Sequence, residues 1–270
     1  MKKYWLFLLS IVVAVSVAGC GTNASSSAGE KKEKDVQTIV VGTGTQFPNI
    51  CFIDDKGKLT GYDVEVVRAI DKELQDYKFE FKTMEFSNLL LSLESNKIDM
   101  IAHNMAQNAE RKKKFLFNDE TYNYSPLYVT VPKNRNDIHS LKDLEGKKMI
   151  VGATSNAAVY LDKYNQKHGN KIDVVYAGQG ADDATTQLKT GRADATLATP
   201  FSIDFSNQAL KFQQKTVGDI VINSKVYFMF NKKDEKLKSE VDQAIKKLKK
   251  DGTLKKLSTK WLGEDYTVQN

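Results

Sequence analysis

From Thr38 onward, short apolar runs alternate with segments of helical period, and this alternation restricts the fold more than any other feature of the chain. Residues 39–42 read as a buried strand, and 52–59 as a hairpin-like turn. Residues 62–74 place Val64, Val67, Ile70 and Leu74 at helical spacing. A strand at 79–83, a helix at 87–95 with Ser87 as its N-cap, and a strand at 98–102 complete the unit. Strand, helix, strand, helix, strand calls for a parallel sheet with right-handed crossovers. After Tyr122 the pattern restarts: a β-rich run at 127–131, a short helix at 141–144, strands at 148–152, 173–176 and 193–198, and helices at 157–168 and 182–190. A strand at 226–230 and helices at 237–251 and 254–261 form a terminal segment that the pattern assigns to neither unit. The expectation is two similar α/β lobes with a cleft between them.

The most polar junction lies in residues 97–122. An apolar strand breaks into the polar run 103–108, and Ala109-Glu110-Arg111 opens a basic helical turn before Phe115-Leu116-Phe117. Open α/β sheets place ligands at the carboxyl ends of strands. Free backbone N–H groups followed by an arginine suit a carboxylate, which guanidinium grips in two-pronged fashion. A surface turn with a solvated Arg111 fits these residues equally well. Lys112-Lys113-Lys114 reads as a solvated face lending a mild positive potential to a cleft mouth. His103 lacks a cysteine or carboxylate at ligand spacing, so no metal site and no cofactor are expected.

The amino terminus carries its own signal. Lys2-Lys3 precedes an apolar stretch, 5–17, too short to span a bilayer comfortably. Val17-Ala18-Gly19-Cys20 resembles the lipobox of bacterial lipoproteins. That resemblance implies a signal peptide over 1–19, a diacylglycerol on Cys20, and anchoring on the extracytoplasmic face of the cell membrane. Residues 20–36 are small, polar and charged and read as a tether. The other cysteine, Cys51, has no disulfide partner and is expected to pack as a small apolar side chain. The formal charge of +6 comes from lysines interspersed with acids, which argues against nucleic-acid binding.

Four stretches together carry a wider resemblance: GKLTGYDVEVVRAIDKEL, the 97–122 segment, LKTGRADATLATP and DGTLKKLSTKWLG. They resemble the substrate-binding proteins of polar amino acid ABC importers, over residues 38–266. Within that family VGTGTQFPNI, FEFKTMEFSNLL, MIAHNMAQNAERKKKFLFN and ATSNAAVYL are most similar to L-cystine-binding lipoproteins of Gram-positive bacteria. The resemblance implies a two-lobed, Venus-flytrap fold of the type II periplasmic-binding class, with two parallel-sheet lobes joined by two hinge strands. Lobe 1 is then 37–124 plus 226–270, lobe 2 is 130–220, and the hinges fall near 125–129 and 221–225. It implies Arg111 as the carboxylate-binding arginine, a backbone N–H from Ala106 on the same carboxylate, and contacts from Asn104 and Met105. Phe47 and Phe86 become aromatic walls, and Thr154-Ser155 the carboxylate-binding turn of the second lobe. Many members hold the ligand ammonium with an aspartate; the matching position here is Thr199.

The function so implied is capture of L-cystine, or of another polar or dicarboxylic amino acid, for delivery to a membrane permease, by a monomer and without catalysis. Phe47, Phe86, Thr154 and Ser155 also suit plainer roles, as core or helix-capping residues. A lyase- or dehydratase-like enzyme of the same shape needs an acid–base pair near the cleft. Only Glu85 and His103 are candidates, and they do not form an evident pair. A surface adhesin shares anchor and fold.

Overall fold

The computed structural model describes residues 36–178, 183–209 and 211–269. The signal segment, Cys20 and nearly all of the tether lie outside the described residues.

In chain order the elements are β1 (Gln37–Thr43), β2 (Gln46–Phe47), β3 (Cys51–Ile53), β4 (Leu59–Thr60), α1 (Tyr62–Glu73), β5 (Tyr77–Thr83), α2 (Phe86–Glu94), β6 (Met100–Ala106), α3 (Ala109–Lys114), β7 (Phe115–Phe117) and β8 (Asn123–Pro132). A 3₁₀ turn (Leu141–Leu144) follows, then β9 (Lys148–Gly152), α4 (Asn156–His168), β10 (Asp173–Ala177), α5 (Asp183–Lys189), β11 (Ala195–Ala198), α6 (Pro200–Ala209), β12 (Gln214–Asn231), α7 (Glu235–Lys250) and α8 (Thr253–Leu262).

The main sheet runs β10-β9-β11-β8-β12-β6-β1-β5. Its two ends are parallel: β1 lies between β5 and β6, and β9 between β10 and β11. Two long strands join the ends and run antiparallel to their neighbours. β8 pairs with β11, β12 pairs with β6, and the two pair with each other. The β8–β12 ladder is interrupted by a register shift between Val217 and Ile222, after which Ile222, Asn223, Ser224 and Lys225 face Leu127, Pro126, Ser125 and Tyr124. The fold is thus the two-lobed α/β class of type II periplasmic binding proteins.

Each end of the sheet is covered on both faces, which is why its strands read as continuous apolar runs rather than alternating ones. On one face of the first end, Ile39, Val41 and Phe228 pack with Val67 and Ile70 of α1, Val241 and Ile245 of α7, and Leu254 of α8. The terminal segment therefore belongs to the first end. The opposite face buries Leu89 and Leu93 of α2 against Ile101, Phe115 and Met229. At the other end Val129, Met149 and Val151 pack under Leu161 of α4, and Ile150 under Leu188 of α5.

Three local expectations change. The polar run starting at His103 is not a loop: β6 continues through Ala106, because β12 pairs with it there (Tyr227 with Met105, Val226 with Ala106) and the pairing satisfies the backbone. Ser87 is not the cap of α2; Glu85 occupies the N-cap, without a side-chain capping bond. Finally, α6 stands where no helix was expected. Among the described residues no helix is long and apolar enough to cross a membrane.

Candidate functional site

A cleft of about 640 Å³ opens beside β6 and is faced by the starts of α4, α5 and α6. Its first wall grows from one short loop. Asn108 sits before α3 in extended conformation, and its side-chain oxygen accepts the Arg111 N–H at 2.8 Å. This cap turns the chain so that the Arg111 side chain folds back under β6. Nη1 donates to the Ala106 carbonyl at 2.9 Å and Nη2 to the Thr154 carbonyl across the cleft at 3.0 Å. Arg111 is only 5% exposed. Burial lowers its pKa from the ordinary value, with Glu110 opposing the shift. A guanidinium has five N–H donors; two are engaged here, so the group keeps donors for a carboxylate. The Asn108 amide donates to the Asn156 side-chain oxygen at 3.0 Å, a second bond between the walls.

Next to it stands a stack of three rings. His103 lies between Phe86 (centroids 5.1 Å, nearly parallel) and Phe47 (5.6 Å, tilted). Its Nδ1 accepts the Gly44 N–H at 3.2 Å and lies 3.1 Å from the Cys51 sulfur, which places the ring proton on Nε2. Burial, aided by the Arg111 charge, depresses the His103 pKa to about 4, so the ring is neutral at physiological pH. Gly44 is required by this approach, since a Cβ there would come within 2.6 Å of His103 Cε1. Burial pushes the Cys51 thiol up to about 12, and it remains a protonated core group. Neither group is set up for acid–base work.

Behind the ring stack, Asp63 at the start of α1 is fully buried. Its Oδ2 accepts the Asn104 N–H at 2.5 Å and the Tyr122 hydroxyl at 2.9 Å, while Oδ1 has no partner among the described residues. Burial raises the Asp63 pKa to about 7, partly offset by the hydrogen bonds from Asn104 and Tyr122. The bond from the Asn104 N–H holds that residue in the left-handed region, φ 49°. The Asn104 amide donates to Ser125 Oγ at 3.0 Å, on the segment of β8 that faces Ser224 of β12.

The opposite wall is made of small polar groups at helix starts. Ser155 caps α4, its hydroxyl accepting the Ala158 N–H at 3.1 Å, and it lines the cleft. Thr185 of α5, Ser202 and Ser206 of α6, and Gln214 at the head of β12 also line it.

Of the residues implied at the sequence level, Phe47, Phe86, Asn104, Met105, Ala106, Arg111 and Ser155 line this one cleft. Thr154 and Thr199 do not. Thr154 takes a left-handed conformation, φ 62°, and contributes its carbonyl to Arg111 rather than its hydroxyl to the cavity. Thr199 is 2% exposed, and its hydroxyl is bonded to Ser202 Oγ (3.0 Å) and the Ser202 N–H (3.3 Å), capping α6. Asn156, Thr185, Ser202, Ser206 and Gln214 were not anticipated. The Ser202/Ser206 spacing marks one helix face, but it carries meaning only once 200–209 is known to be helical. Among the described residues no group of three His, Cys, Asp or Glu could hold a metal ion.

Comparison with known proteins points the same way. The model for bacterial extracellular solute-binding proteins, family 3, matches residues 39–264. The L-cystine-binding protein TcyJ of Bacillus subtilis is 58% identical over 98% of this chain and 97% of its own length. TcyK of the same organism, also an L-cystine-binding protein, is 52% identical over the same shares. A solved structure from Bacillus subtilis, described as the probable amino-acid ABC transporter extracellular-binding protein YtmK, is 56% identical with a TM-score of 0.77, covering 86% of this chain and all of that one.

Proposed function

The chain belongs to family 3 of the bacterial extracellular solute-binding proteins, and from that premise we propose that it captures L-cystine and hands it to the permease of an ABC importer. The observation that carries the reading is Arg111: a buried guanidinium, held by one carbonyl from each wall, with donors to spare beside a wall of aromatic rings. One ligand carboxylate lies on Arg111. The disulfide and its methylenes lie along Phe47, His103 and Phe86, contacts worth about 1 kcal/mol each. The second amino-acid end meets the hydroxyls of the facing wall. The names of the two Bacillus relatives support cystine over other amino acids.

In this reading residues 37–124 plus 226–270 and residues 130–220 are the lobes, and 125–129 and 221–225 are the hinges. The interrupted β8–β12 pairing supports that division, because bending there leaves each lobe's own sheet intact. Cystine contacts both lobes, so it favours the closed state by differential affinity. The protein works as a monomer, tethered by lipid on Cys20 to the outer face of the membrane.

The test is a thermal-shift panel of amino acids on the purified full chain. At a hundred times its dissociation constant the true ligand adds about 2.7 kcal/mol of stability. Cystine should give the largest shift, and small-angle scattering of the same sample should show a smaller radius of gyration. No shift with cystine and a clear one with another amino acid would replace the ligand; a shift without compaction would remove the hinge assignment. Cys20→Ala should abolish palmitate labelling, and retained label would sink the anchor.

A further inference from the structure

Besides His103, one basic and one acidic side chain line the cleft among its described residues: Arg111 and Glu85. His103 stands neutral between its neighbouring rings. Arg111 is answered within the protein by two carbonyl dipoles. Glu85 is answered by nothing among the described residues: its carboxylate makes no capping bond to α2, takes part in no ion pair and accepts no hydrogen bond. Yet it is half-buried, directly before the ring wall at Phe86. It stands at the start of the nine-residue α2, a position that suits an acidic side chain, and its oxygens are not committed to capping that helix.

A zwitterionic ligand entering this cleft loses water from an ammonium group as well as from a carboxylate, and a desolvated ammonium needs an anionic or well-oriented polar partner. The other position in line for that task, Thr199, is neutral, 2% exposed and committed to capping α6. We infer that Glu85 receives an α-ammonium group of the ligand, making this the residue by which the protein selects free amino acids over compounds with the same acids and no amine. This rests on the amino-acid reading above and adds to it the second charged contact. One amino-acid end of the ligand then brings its ammonium to Glu85 and its carboxylate to Arg111, while the other end meets the hydroxyls of the facing wall.

The probe pair is L-cystine and 3,3′-dithiodipropionate, which is cystine without its two amino groups, titrated calorimetrically into the full chain and into Glu85→Gln. Glu85→Gln should weaken cystine binding about 10- to 100-fold. It should leave dithiodipropionate binding unchanged or tighter, so the parent's preference for cystine shrinks by that factor while the melting curve stays in place. An equal loss for both compounds, or no loss for cystine, overturns the inference. If the parent ignores cystine altogether, the ligand identity has failed rather than Glu85. The same comparison then runs with the amino acid that shifts the melting curve and its des-amino analogue.

Discussion

On the wall formed by β6 and α3, the polar groups are buried and already wired to one another, whereas the wall at the starts of α4, α5 and α6 offers small hydroxyls. Asp63 holds Asn104, Asn108 holds Arg111, and Gly44 holds His103. Across the cleft Ser155 and Ser202 sit at helix starts, where a hydroxyl can cap and still face solvent. Charge buried in advance costs stability, but it gives a ligand a fixed template with little left to reorganise. Hydroxyls at helix starts cost little and adapt. On the proposed reading the strong ligand contact falls on the first wall and the adjustable ones on the second.

The largest expected effect is on the first wall. Arg111→Ala removes one member of what becomes a desolvated charge pair, at about 2–5 kcal/mol, or roughly 30- to 4000-fold in cystine affinity. Arg111→Lys should recover little, since an ammonium cannot reproduce the planar two-pronged contact. Calorimetric titration beside a melting curve decides it. An Arg111→Ala protein that melts normally and binds like the parent would move the strong contact elsewhere and erase the contrast between the walls.

Next comes the cost of wiring that wall. Asp63, raised to about 7, keeps its proton in the folded state while the unfolded chain has lost it, so stability falls as pH climbs from about 4 to about 7. The full penalty of about 4 kcal/mol applies above that window. His103, lowered to about 4, stays neutral while the unfolded chain takes a proton below its ordinary 6.5. Its contribution of about 3 kcal/mol is present above pH 6.5 and lost as pH falls toward 4. The two slopes oppose one another between about pH 4 and 6.5. Relative to the parent, Asp63→Asn should therefore tilt stability upward with pH across that window, and His103→Gln downward, each by about 1.4 kcal/mol per pH unit. Urea unfolding at pH 4.5, 6 and 7.5 reads this directly, and curves parallel to the parent's would mean the buried charges carry no such cost.

The second wall gives the smallest effects. Ser155→Ala loses both a helix cap and a cleft hydroxyl, and should lower stability by about 1 kcal/mol and cystine affinity several-fold. Thr199→Ala loses only the cap of α6: a similar drop in melting temperature, with cystine affinity within about twofold of the parent's. Reversed affinities, with Thr199→Ala the weaker binder, would put Thr199 back among the ligand contacts.

Much of the frame was legible along the chain. Strand 148–152 and helix 62–74 are matched to within a residue by β9 and α1, because apolar spacing of two or 3.6 residues is a local property. The segment 200–209 carried a readable helix start, a threonine followed by proline at the first helical position. Reading Thr199 as a ligand contact hid that signal. Asp63 was unremarkable as an acid in a first helical turn, and nothing in its neighbours announces its burial.

The sequence by itself determined the two α/β units, the strand that leads to Arg111, and the side chains available to the cleft, since each follows from spacing within a few residues. Tertiary structure alone decided that residues 103–106 are strand rather than loop and that α7 and α8 cover the first sheet end. It also decided that Thr154 offers a carbonyl and Thr199 a cap, and that the charges of Arg111 and Glu85 share one cavity. The reason is physical. A hydrogen-bond partner or a desolvated charge is set by atoms tens of residues away, such as Asn104 for Asp63 and Thr154 for Arg111. No local period encodes those distances.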